Sequence, residues 1–135
     1  MIRALFRCCR GAAIVEFALI APVFLMAILG IIEVSRLLWT QQTLDEVAYS
    51  AARCMSVSTS CASTATQRNY AVARAGGYGI TLASNQVTPV AATNCKGFPN
   101  SSSVTITHSF VSPLSGFVPG FLMNISSQAC YPTIS

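Results

Sequence analysis

From Ala12 to Ile32 the chain is apolar at every position except Glu16, Pro22 and Gly30. An apolar run without a polar face predicts a helix surrounded by lipid, not one lying on a soluble core. Its 21 residues reach roughly 32 Å at about 1.5 Å per residue, enough to cross a hydrocarbon layer. The pattern then changes but stays helical. Residues 33 to 55 hold no Gly or Pro, and Leu44, Val47, Ala48, Ala51 and Met55 recur at helical spacing. Gln41, Gln42, Asp45 and Glu46 take much of the polar side, so the helix is expected to continue past the membrane as an amphipathic stem. Glu33 and Arg36, three apart, are expected to pair on its surface near the lipid boundary. Pro22 removes one backbone donor and is a site for a kink.

Residues 56 to 64 are a polar connection, after which Thr64 and Gln67 have the spacing of a capping box for a second, short helix, with Gly76 and Gly77 as its stop. From Gln86 the sequence turns to short runs of Val, Ile, Thr and Phe separated by Pro and Gly. These predict strands near 86–94, 103–111 and 121–131. Val104, Ile106, His108 and Phe110 alternate and share one face of the middle strand, while Ser101, Ser102 and Ser103 read as a turn. The expected fold is α+β: one long N-terminal helix, transmembrane and then stem, a short second helix and a small three-stranded antiparallel sheet. Such a sheet needs cover on its apolar face, which the stem's distal half and the second helix can supply.

Composition narrows the function. Of 135 residues 53% are hydrophobic and 9% charged, far below the roughly 25% charged of an average soluble protein. The four acids are Glu16, Glu33, Asp45 and Glu46, so residues 47 to 135 carry no carboxylate side chain. That removes paired-carboxylate hydrolysis, a Ser-His-Asp triad and oxygen-rich cation sites from the distal two thirds. No enzymatic activity, cofactor or metal is expected, and His108 is read as packed or hydrogen-bonded. The net charge of +4 draws on three basic residues in the first ten, Arg3, Arg7 and Arg10. This marks one end of the chain and forms no broad basic face, which argues against nucleic acid. No small-molecule substrate is indicated.

Basic residues before an apolar span put the amino terminus in the cytoplasm, and Trp39 next to Leu37 and Leu38 fits an interfacial anchor. The expected organisation is a basic cytoplasmic leader at 1–11, a transmembrane helix at 12–39 and an outer head at 40–135. A cleaved secretory signal is disfavoured, because Gly30-Ile31-Ile32-Glu33-Val34-Ser35 offers no pair of small residues at the cutting positions. Lipoprotein processing at Cys8 fails as well, since the apolar stretch follows that cysteine.

Glu16 is the anomaly. An acid within a membrane helix costs up to about 2.5 to 3.5 kcal/mol at the bilayer centre and less near its edge. Gly11 stands five residues before it. Cutting after Gly11 would place a new amine on Ala12, one turn from a carboxylate able to neutralise that amine or a neighbour's in an apolar bundle. In this spacing the chain resembles the type IV pilin superfamily, whose prepilin peptidase cuts after a Gly five residues before a Glu. The longer run, Arg10-Gly11-Ala12-Ala13-Ile14-Val15-Glu16-Phe17-Ala18-Leu19 through Pro22 to Gly30-Ile31-Ile32-Glu33, is similar to the TadE-like family of tight-adherence (Flp-type) pilus assembly, described as minor pseudopilins. The resemblance is specific over residues 10 to about 55. It implies a pilin-like fold, Gly11 before the cut, Ala12 as mature first residue, Glu16 in processing, and Glu16 with Phe17 in subunit docking. It also implies a prepilin peptidase, other pilins or pseudopilins and pilus assembly components as partners.

Cys54, Cys61, Cys95 and Cys130 fall on the expected outer side, an oxidising space in bacteria, and read as two disulfides. Three pairings are possible. Cys54 with Cys61 would staple the helix connection, and Cys95 with Cys130 would tie the ends of the first and third strands, which lie on one side in a meander. Cys8 and Cys9, on the reducing side, are expected to be free thiols. Asn100-Ser101-Ser102 and Asn124-Ile125-Ser126 match the glycosylation pattern, a short match that arises by chance in a Ser- and Thr-rich chain. The expected function is a structural subunit or assembly factor of a tight-adherence type IV pilus, in the bacterial inner membrane with its head in the periplasm and possible incorporation into a surface pilus. An uncleaved, single-pass, membrane-anchored protein-binding module of the same machinery is the alternative.

Overall fold

The computed structural model describes residues 10–116 and 122–133. Arg3, Arg7, Cys8, Cys9 and Pro119 lie outside them. The chain is α+β, with helices α1 (Arg10–Val57) and α2 (Thr64–Gly77) followed by strands β1 (Val87–Cys95), β2 (Phe98–Val111) and β3 (Leu122–Pro132). It divides into two compact units, Met1–Arg36 and Leu37–Ser135, with the boundary inside α1.

In the first unit α1 is helical throughout its described length, with Pro22 inside it. Ile14, Val15, Phe17, Leu19, Ile20 and Val23 are all more than half exposed. The helix is long and apolar enough to cross a membrane, and none of its most apolar window is buried by protein. The Glu33 to Arg36 pair forms, with Arg36 Nη1 donating to Glu33 Oε1 at 3.1 Å. It is not the surface pair expected, because Glu33 is only 7% exposed and its Oε2 is buried without a hydrogen-bond partner.

In the second unit the sheet order is β1-β2-β3, antiparallel throughout. The core gathers Leu44, Val47, Ala48, Ala51 and Ala52 of α1, Ala71 and Ala75 of α2, and Val87, Val104, Ile106, Phe110 and Ile125 of the sheet. Alanines of both helices line this core, and Leu44, Val47 and Ile106 are among its largest fully buried side chains. Arg68 Nε ties α2 to β1 by donating to the Val87 carbonyl at 3.0 Å.

The capping box of α2 sits one residue before the expected one. Ser63 is the N-cap and Thr66 the reciprocal partner, each side chain accepting from the other's backbone N–H. Gln67 Nε2 instead donates to the Cys61 carbonyl at 2.8 Å, so it serves the preceding turn. α2 ends at Gly77, the second of the two glycines expected to stop it. The reversal comes at Gly79, with φ +79°, where Gly79 N–H donates to the Gly76 carbonyl and Ile80 N–H to that of Ala75. That nested pair needs a left-handed residue, which glycine adopts without a Cβ clash.

Ser101, Ser102 and Ser103 are strand, not turn, and all three are buried. β2 is central: Ser101 is in register with Thr93 on one side and Pro132 on the other, and Ser103 with Val90 and Cys130. Both flanks are occupied by ladder partners, which overrides the turn tendency of serine. β1 carries register irregularities between Val90 and Thr93 and between Thr93 and Cys95, with Ala92 at φ 51°. These irregularities matter for the disulfide. Strands two apart in a flat sheet sit roughly 9.5 Å from each other, yet Cys95 and Cys130 are 5.9 Å apart at Cα. The irregular end of β1 thus departs from flat three-strand spacing and brings Cys95 within bonding reach of Cys130.

Candidate functional site

Two regions carry chemistry. The first is the start of α1. Gly11 is exposed and a Cβ there would meet nothing within 4 Å. Glu16 follows position 12 by one helical turn, on the same face. Its side chain is exposed amid exposed apolar neighbours, Phe17 among them. For Ala12 the structure describes only the helical backbone.

The second region lies in the unit of residues 37–135. Tyr49 and Arg53 are one turn apart on α1, as are Tyr70 and Arg74 on α2, and all four line one groove of about 430 Å³. Arg74 Nη2 lies 3.7 Å from Glu46 Oε1, and its guanidinium sits 6.0 Å from the centre of the Tyr78 ring. Tyr49 also lines a second groove, of about 580 Å³, with Asp45, Lys96, Phe98 and Gln128. There Lys96 Nζ donates to the Gln128 carbonyl at 3.2 Å, and Tyr49 meets Tyr131 edge-on at 5.9 Å. Sequence reading did not single out this region. Its signal was present as aromatic and basic residues four apart on each helix, but only tertiary packing joins the two pairs.

The disulfides are Cys54–Cys61 and Cys95–Cys130. The first closes the turn between α1 and the Thr59–Cys61 3₁₀ segment, where Ser58 N–H donates to the Cys54 carbonyl at 3.0 Å. His108 is in register with Ile125, and its Nδ1 is buried without a hydrogen-bond partner. No carboxylate orients the ring among the described residues. No three His, Cys, Asp or Glu side chains converge as metal ligands there either.

Residues 11–53 match the family model described as TadE-like protein. The TadE-like segment thus lies wholly within α1 and includes Gly11, Glu16, Glu33 and the core face from Leu44 to Ala52. The sheet and α2 lie beyond it. No curated protein and no solved structure matches the chain. A TadE-like segment on a long apolar helix fits a membrane-anchored protein associated with tight-adherence pili.

Proposed function

We propose that this chain is a pilin-like structural subunit or assembly factor of a tight-adherence type IV pilus. It resides in the bacterial inner membrane through residues 12–39, with the leader 1–11 cytoplasmic and residues 40–135 periplasmic. Prepilin peptidase cuts after Gly11, and the new amine of Ala12 is balanced by Glu16 of the same chain or of a neighbour. The observation that carries this reading is the exposed apolar surface of α1 interrupted near its start by one acid a single turn after position 12. Apolar helices exchange lipid for one another at little cost in hydrophobic energy, so a compensated charge pair gives the association its register. That residues 47 to 135 carry no carboxylate side chain favours a structural role over carboxylate-dependent catalysis.

The test is Glu16→Val, which keeps the span apolar. The variant should insert normally yet copurify with other pilins at a small fraction of the parental yield. Equal copurification would refute the docking role. The uncleaved, anchored binding module is favoured by the aromatic and basic groove of the head, and it differs in keeping residues 1–11.

A further inference from the structure

Arg53 is exposed on α1 and has no hydrogen bond or ion pair among the described residues. It faces the same groove as Arg74, whose ion pair with Glu46 is about half exposed on both sides. A pair that exposed is worth little, about 0 to 1 kcal/mol, and it uses one of the five donors of Arg74, so the guanidinium can take a second carboxylate while Glu46 stays beside it. Tyr49 and Tyr70 are partly exposed in this groove, and Phe98 and Lys96, with Asp45, line the second groove that shares Tyr49. Arginine and exposed aromatic residues together form the composition of protein-binding hot spots.

The charge balance identifies the occupant. Between residues 37 and 135 the acids are Asp45 and Glu46. Asp45 accepts from Ser127 and Gln41, and Glu46 is held by Arg74. The other two acids, Glu16 and Glu33, lie at the start and the far end of the apolar segment. In a second copy the head's two acidic side chains, Asp45 and Glu46, lie in these same grooves and are each engaged within their own chain, so a partner that brings its own carboxylates suits Arg53 better. We propose that the two grooves sharing Tyr49 form one docking surface for an extended acidic segment of a different protein. Its carboxylates pair with Arg53 and Arg74, where arginine's planar fork accepts two oxygens at once. Its apolar side chains lie against Tyr49, Tyr70 and Phe98. This surface does not depend on cleavage after Gly11, so its test and that of the processing site fail separately.

The experiment uses the full chain in detergent micelles and a fluorescein-labelled extended peptide alternating Glu and Leu, alongside its Gln-for-Glu counterpart. The Glu peptide should bind with a salt-sensitive affinity, and the Gln peptide and the Arg53→Glu variant should each weaken binding by at least about tenfold. Arg53→Gln, which tests charge loss without reversal, should fall between. Intact disulfides by mass and an unchanged circular dichroism spectrum show that each variant is folded. No binding of the Glu peptide, or equal binding of the Gln peptide or of Arg53→Glu, overturns the proposal. So does Arg53-dependent binding to phosphatidylglycerol vesicles that the peptide does not displace, or Arg53-dependent self-association that the peptide leaves intact.

Discussion

The hydroxyl of Ser127 on β3 donates to the carboxylate of Asp45 on α1, joining residues 82 positions apart. Ser127 is 2% exposed, so its hydroxyl lies where water does not substitute, while Asp45 is exposed and keeps a second donor in Gln41 Nε2 at 3.2 Å. The bond fixes the sheet to the helix at the rim of the core.

Removing that donor has a bounded cost. Ser127→Ala should destabilise the head by about 1 kcal/mol, below the roughly 1.5 to 3 of a bond to a fully buried charge, because Asp45 can turn to solvent. Urea unfolding should show an earlier midpoint with an unchanged slope, and Asp45→Asn should show a smaller shift in the same direction.

The two disulfides should contribute unequally. Closing loops with sequence separations of 7 and 35 restricts the unfolded chain by about 2.5 and about 3.8 kcal/mol respectively. Replacing Cys95 and Cys130 together by Ala should therefore lower the unfolding midpoint more than replacing Cys54 and Cys61 together. The opposite order would mean that native packing at the helix connection outweighs the loop-closure contribution.

Core packing predicts opposite substitutions to be harmful at different positions. Ile106, fully buried on the central strand, should lose about 3 kcal/mol on change to Ala, within the range for large-to-small replacements. Ala71, fully buried on α2, should lose about 1 to 3 kcal/mol on change to Leu through overpacking. Thermal or urea unfolding of each variant measures both.

Ala92 holds a left-handed backbone at φ 51° in the bulged part of β1, which costs an L-residue about 1 to 2 kcal/mol. Ala92→Gly relieves that strain but adds unfolded-state entropy, so the variant should be neutral or more stable by up to about 1 kcal/mol. A marked loss of stability would show that the methyl group packs usefully.

What was legible in the sequence followed from periodicity. Leu44, Val47, Ala48 and Ala51 mark the buried face of α1 because a helix repeats every 3.6 residues, and Val104, Ile106 and Phe110 mark the buried face of β2 because a strand alternates. Local chemistry was less decisive where neighbours are equivalent. Ser63 and Thr64 both suit an N-cap, and the structure uses Ser63. Ser101 to Ser103 have turn chemistry but become strand because partners flank them on both sides. The placing of Arg53 and Arg74 along one groove was not legible, since it depends on tertiary packing and not on either residue's own helix.

The central claim is that the Gly11 to Glu16 spacing marks a processed, pilin-like anchor. Intact-mass measurement of the chain coexpressed with a prepilin peptidase tests it most directly, with a known pilin as the positive control and Gly11→Val as the blocked form. The account predicts a product beginning at Ala12 from the parent and an uncut product from Gly11→Val. A parent that keeps residues 1–11 while the control pilin is cut would contradict it.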